Sequence, residues 1–434
     1  MIIGIDASRA NREHKSGTEW YSYYLIKYFA QLDSANQYIL YTDKPLQGGL
    51  LDLTKIGVDD ENLKEIPRYD DKGYQIIKSP HNNFRGNVLK WPVPYLWTLG
   101  RLSLEMLVNR PDILFVPAHG LPLIMAKKTI NTIHDVAFRE EGANYIFEKN
   151  KLGPKSGYWM KKIVNATVRF LTFGKYRANA FDYLDWSTIY SLKHSDKIIT
   201  VSNYSREQII KTYKCDSDTI CRSLKIKVIY NGFNNLIYKK IDDTTKVDEV
   251  LKKYGISKPY ILYNGRLERK KNTPFLIEAF AKAKIRNHFM KEKLVLVGDA
   301  SFGYDEVKYL TDQYGLSEDV IMTGWVPEVD LPYIMNGAQA FIFPSIHEGF
   351  GIPVLQAMGC GVPVMISDIP VLREVAEEAA LFFNPHDKED AAQKIALLLA
   401  DENLRKDLAL KGFIRAKDFS WEKCARETLD CLLK

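Results

Sequence analysis

Short apolar segments alternate with amphipathic helical ones along this chain, and halfway along the alternation begins again. That rhythm constrains the fold more than any other feature. MIIGIDAS, QYILYTD, DILFVPAHG, KTINTIHDVAF, DKIITVSN and IKVIYNG read as strands in the first half. PYILYNGRL, KLVLVGDA, VIMTGWV, AFIFPS and VPVMISD do so in the second. Apolar runs this short suit strands buried on both faces, the condition of a parallel sheet covered by helices. The stretches between supply the helices: KSGTEWYSYYLIKYFAQL, YSREQIIKTY behind a capping Ser202 or Asn203, NTPFLIEAFAKA with Pro274 in its first turn, and DEVKYLTDQYG ending at Gly315. Two α/β domains with parallel sheets are predicted, and 434 residues suffice for both. The join is expected in the polar stretch NGFNNLIYKKIDDTTKVDEV, with a first domain over 1–234 and a second from 235.

Residues 139–190 break the rhythm, mixing basic and aromatic residues as in YWMKKIVNATVRFLTFGKYR. They read either as an amphipathic helix lying on a membrane or as a helical insertion packed on its own domain, and aromatic stripes favour the packed insertion. No window holds the roughly 18 consecutive apolar residues of a membrane-spanning helix. The opening MIIGIDASRA has no basic region followed by a long apolar run, so no signal peptide is expected. A cytoplasmic protein follows, and peripheral contact with the inner face of a membrane is compatible with the net charge of +6. The same charge is far from a nucleic-acid-binding stripe, so no nucleic-acid partner is expected. The five cysteines form no C-x-x-C pair and read as reduced, semi-buried thiols.

Two loops of the second half carry chemistry. AFIFPS runs into IHEGFGIP, a strand-to-helix loop of the kind that binds ligands at the carboxyl end of a parallel sheet. Gly349 and Gly351 bring no side chains, so backbone N–H groups there can approach an anion, and Pro353 suits the first turn of the next helix. Glu348 would repel a phosphate but accepts hydrogen bonds from neutral hydroxyls. NGRLERKKNTP is the second such loop: Arg266 can fork onto phosphate oxygens, and Lys271 adds a point charge at a helix start. A sugar joined to a diphosphate satisfies both loops at once.

With those residues in view, PSIHEGFGIPVLQAMGCGVPV resembles the signature of retaining glycosyltransferase family 4, mannosyltransferase-like group. GRLERKKN resembles its diphosphate clamp, TIHDVAF the His-Asp strand end of its first domain, and KSGTEW its N-terminal glycine loop. VSNYSREQI and VIYNGF fit as well. The resemblance implies the GT-B fold: α/β, with two Rossmann-like parallel-sheet domains facing a deep cleft. The second domain would end near residue 418, and 419–434 would form a helix crossing back to the first.

The resemblance also implies residue roles. Arg266 and Lys271 would hold the diphosphate of a nucleotide sugar, GDP-mannose or a UDP-hexose. Glu348 would sit by the donor sugar hydroxyls, with the amides of Gly349, Phe350 and Gly351 beside it. The family's second glutamate, on the ribose, falls here on Gln356, which still accepts a hydroxyl hydrogen bond but carries no charge. His134 would face the donor sugar from the first domain, oriented by Asp135. His119 is a further candidate for that wall, and Gly17 and Thr18 would approach phosphate or acceptor.

The implied reaction moves a hexose, with mannose mildly preferred, to a hydroxyl of a glycan or lipid-linked acceptor with retention. Arg266, Lys271, Glu348 and His134 form its catalytic set. No cofactor is expected, and no metal: DSD at 216–218 lies in a polar segment away from both anion loops. A nucleotide-sugar epimerase and a non-catalytic nucleotide-sugar-binding scaffold are the alternatives.

Overall fold

The computed structural model describes residues 1–57, 66–91, 97–139, 174–177, 179–215, 225–288, 290–300 and 304–434, with the single residues 162, 166 and 169. The chain divides into two units, Met1–Asn231 with Trp421–Lys434, and Gly232–Ser420.

The first unit is built on β1 (Ile2–Asp6), β2 (Gln37–Thr42), β3 (Gln75–Ile76), β4 (Phe84–Val88), β5 (Ile113–Val116), β6 (Lys128–Thr132), β7 (Lys197–Thr200) and β8 (Ile226–Val228). Their order is β3-β4-β2-β1-β5-β6-β7-β8. Every neighbouring pair is parallel except β3 with β4. Ile3, Ile5, Leu114, Phe115, Ile130 and Ile198 are fully buried, as strands sandwiched between helix layers require. The sequence does not announce β3 and β4: the edge strand β3 is only two residues long, and FRGNV of β4, next to it, lacks the apolar run that marks central strands.

The helix Trp421–Leu433 completes this unit. It buries Trp421, Cys424, Ala425, Thr428, Leu429 and Leu432, one face at helical spacing. Its last turns meet three lysines. Lys128 donates to the carbonyl of Leu432 at 2.7 Å, Lys197 to that of Cys431 at 3.3 Å, and Lys227 to that of Glu427 at 3.4 Å. At Cys431 and Leu432 this puts positive charge on carbonyls that lack an amide four residues on within the helix, at its negative end, which is stabilising.

Of the irregular segment 139–190, the helix Ala180–His194 packs on its own unit. Asn179 caps it by accepting from the Asp182 N–H at 2.7 Å, and Leu192 joins Ile133, Ile198 and Ile209 in one core cluster. The basic, aromatic stretch that carried the membrane reading lies for the most part outside the described residues, and the DSD at 216–218 lies wholly outside them. Among the described residues no helix is long and apolar enough to cross a membrane. Cys360, Cys424 and Cys431 are free and buried, but Cys215 is disulfide-bonded, which corrects the expectation of reduced thiols at that position.

The second unit is wound on β9 (Tyr260–Asn264), β10 (Lys293–Val297), β11 (Val320–Gly324), β12 (Ala340–Phe343), β13 (Val364–Ser367) and β14 (Leu381–Phe383), in the order β11-β10-β9-β12-β13-β14. All pairs are parallel. The polar stretch read as a join is partly helical: Asp243 caps the helix Thr244–Lys253, which buries Val247, Val250 and Leu251. Three apolar residues among lysines and acids give too faint a signal to pick out by eye.

Candidate functional site

Ligands of doubly wound sheets sit beyond the carboxyl ends of the strands where strand order reverses. In the second unit that point lies between β9 and β12, since the chain first builds from β9 to β10 and β11 and then returns to the other side of β9. Both anion-suited loops leave the sheet there.

After β9, Gly265 N–H reaches Val297 O at 2.9 Å and Leu267 N–H reaches Asp299 O at 3.0 Å. This close approach needs Gly298, whose φ is +140° and where a Cβ would lie 2.0 Å from Gly265 O. The Tyr263 hydroxyl donates to the Arg266 carbonyl at 2.9 Å. Burial first, then the charges of Glu348 and Glu268, push that hydroxyl well above its ordinary pKa, so it stays a donor. The backbone at Arg266 is thereby fixed while its side chain is 59% exposed, with Glu268 at 4.0 Å. Lys271 closes a single 3-10 turn, Arg269–Lys271, just ahead of the helix Thr273–Arg286.

After β12, the fully buried Ser345 donates through Oγ to the His347 carbonyl at 3.1 Å. Phe350 is buried, with its ring 5.7 Å from that of Phe419 at 72°. Gly351, at φ +108°, opens the helix Ile352–Gly359, with Pro353 in its first turn. A Cβ on Gly351 would meet Leu372 Cδ2 at 2.8 Å, so this glycine has a local structural reason besides access to an anion. Gln356 is buried on that helix, and among the described residues its side-chain amide has no hydrogen-bond partner.

The two loops meet at one ion pair. Lys271 Nζ lies 2.5 Å from Glu348 Oε1, with the side chains only 19% and 11% exposed. The ammonium also lies 5.7 Å from the centre of the Phe343 ring. A lysine carries three protons, and Glu348 takes one, which leaves donors for a second oxygen group.

The first unit reverses its strand order between β1 and β5. Beyond β1, Asp6 accepts from Ser8 N–H at 3.0 Å and from Thr98 Oγ1 at 3.2 Å. Gly17 and Thr18 form the first turn of the helix Gly17–Leu32, where Ser16 and Glu19 make a capping box. That arrangement commits Glu19 to the helix start and to Arg9, whose Nη1 is 3.4 Å from Glu19 Oε1.

His119 follows β5 and His134 follows β6. Nε2 of His119 bonds the Asp135 carbonyl at 3.0 Å, and Nε2 of His134 bonds the Pro117 carbonyl at 3.1 Å. A carbonyl only accepts, so each Nε2 carries a proton. Burial lowers both pKa values, that of His119 to about 4, so both rings are neutral near pH 7 and each Nδ1 is left as an acceptor. Asp135 accepts from the Ala137 N–H at 3.0 Å. The structure ties Asp135 to His119 through its backbone, and the charge of its carboxylate bears on His134.

Sequence reading missed two residues here. Tyr263 reads as an ordinary strand aromatic until its hydroxyl is seen to hold Arg266. Arg9 reads as one basic residue in a polar loop, yet its charge bears on Asp6, His119 and His134.

The profile of glycosyl transferases group 1 matches residues 246–413, inside the second unit. The chain is 32% identical over 249 residues to O-antigen chain mannosyltransferase B of Escherichia coli, covering 57% of this chain and 63% of that protein. It is 28% identical over 242 residues to the serotype-specific mannosyltransferase WbdA of Escherichia coli, covering 55% of this chain and 29% of that protein. Matches therefore span less than two thirds of these relatives' own length. Among solved structures, sucrose-phosphate synthase of Thermosynechococcus elongatus superposes with a TM-score of 0.68 at 18% identity, covering 99% of this chain and 98% of that one. Residues 246–413 thus match a glycosyltransferase group 1 domain, and the chain with its two α/β units has a GT-B fold.

Proposed function

We propose that the protein transfers a hexose, most simply mannose, from a nucleotide diphosphate sugar to a hydroxyl of a glycan or lipid-linked acceptor, with retention at the anomeric carbon. The observation that carries this reading is the Lys271–Glu348 pair at the switch point of the second unit, which sets a cation for a diphosphate beside an acid for sugar hydroxyls. The mannosyltransferase names of the relatives support the sugar, with GDP-mannose or a UDP-hexose as the donor.

In this account Arg266 and Lys271 take up the negative charge that develops on the departing diphosphate, which replaces a metal in that task. The amides of Gly349, Phe350 and Gly351 add N–H donors. Glu348 holds sugar hydroxyls and Gln356 a ribose hydroxyl. The leaving phosphate takes the acceptor proton as the acceptor attacks from the same face. His134 and His119, neutral with bare Nδ1 atoms, accept hydroxyl hydrogen bonds, while Gly17, Thr18 and Asp135 shape the acceptor or phosphate side. The nucleotide sugar is a substrate, and no further cofactor enters. Work at the cytoplasmic face of a membrane fits a lipid-linked acceptor.

A panel of GDP- and UDP-sugars tested for protection against thermal unfolding checks the donor, since a ligand at a hundred times its Kd stabilises by about 2.7 kcal/mol. One sugar should stand clear of the others. A flat panel overturns the proposal, and anomeric proton NMR of the product then decides retention.

A further inference from the structure

Three consecutive residues, Phe419-Ser420-Trp421, carry the chain from the second unit back to the first. The outer two are almost completely buried, each against a different candidate half-site. Inside the second unit, Phe419 packs edge to face on Phe350 of the Gly349–Gly351 loop, with the Arg415 guanidinium 4.8 Å from the centre of its ring. Arg415 is itself anchored, donating to the carbonyls of Val375 and Glu374 at 3.0 Å each.

Inside the first unit, Trp421 stacks on Tyr24 at 5.4 Å and 16°, and meets Tyr21 at 6.2 Å. Tyr21 in turn lies edge-on to His134 at 4.9 Å and 87°, its hydroxyl 3.0 Å from Thr132 Oγ1. Tyr21 and Tyr24 both belong to the helix that starts at Gly17.

We propose that Phe419 is a positioning residue for the transfer reaction, setting the donor loop through Phe350, and that Trp421 positions His134 and the Gly17 helix through Tyr21. Buried aromatic contacts of this kind are stiff, and shifts of about 1 Å at a reacting group cost on the order of a hundredfold in rate. Two half-sites thus take their positions from side chains two residues apart. The donor half of this proposal rests on the transferase reading, and the His134 half does not.

The test therefore uses two readouts. Phe419→Leu should weaken GDP or UDP binding about tenfold by calorimetry, and raise the donor KM more than it lowers kcat. Trp421→Leu should move the His134 imidazole titration, followed by NMR, upward toward its ordinary value as water enters beside Tyr21. It should leave nucleotide affinity unchanged. The charged and titratable groups near that ring are Asp135, Glu19, Arg9, His119 and Tyr21, and all are intact in the variant. Phe419→Tyr and Trp421→Phe keep a ring, so they should behave close to wild type. If either leucine variant fails to fold, Phe419→Met and Trp421→Met replace it with the same expected directions. An unmoved His134 titration, or equal nucleotide affinity in wild type and the Phe419 variant, overturns the corresponding half. Wild type that binds neither nucleotide overturns the transferase reading and the donor half with it, while the His134 shift still decides the other half.

Discussion

Lys271 and Glu348 are joined at 2.5 Å although they leave the sheet on opposite sides of its switch point, one after β9 and one after β12. The pair ties the two loops together beyond the carboxyl ends of the strands.

Lys271→Ala should lower kcat by roughly 100- to 1000-fold, about 3 to 4 kcal/mol of lost stabilisation of developing charge. Circular dichroism should show the fold retained. Turnover at the wild-type level would remove Lys271 from the clamp.

Gln356→Glu should keep or tighten binding of the nucleoside diphosphate. A carboxylate accepts a ribose hydroxyl more strongly than an amide does, and among the described residues no hydrogen-bond partner of the Gln356 side chain is lost. Calorimetric titration measures it directly. A large loss of affinity would place the ribose elsewhere.

Gly351→Ala should destabilise the second unit by about 1 to 3 kcal/mol, because alanine is strained at φ +108° and its methyl group would press on Leu372. Thermal denaturation reports the cost. Donor KM should rise at the same time, since the helix start that follows would shift.

Acid should weaken the first unit through its histidines. His119 has a folded pKa of about 4 against an ordinary 6.5, so between those values the unfolded chain binds the extra proton. Stability is then fully present above about pH 6.5 and is lost as pH falls toward 4, and His134, also lowered by burial, acts in the same sense. Melting temperatures over that range should fall, and should fall less in His119→Gln. A melting temperature that rises on acidification would contradict the neutral assignment.

Periodicity and loop chemistry made the parallel strands legible, because a strand buried on both faces has to be apolar along its length. They also marked the two loops of the second unit, since glycines, a helix-starting proline and clustered cations are what an anion cradle is made of. What escaped was what depends on pairing between distant residues. β3 and β4 are held by their neighbours rather than by their own composition, and the helix Thr244–Lys253 hides among charges. The tautomers of His119 and His134 follow from carbonyls on the opposite side of a loop, at Asp135 and Pro117. Tyr263 and Arg9 look ordinary until their partners in space are known.

The lysine grip on the helix Trp421–Leu433 has a consequence for biosynthesis. The first unit emerges from the ribosome early, but it cannot cover Tyr21 and Tyr24 until residues made after the entire second unit arrive. The first unit therefore completes its core only after the second has been made, while the uninterrupted second unit can finish as it is made.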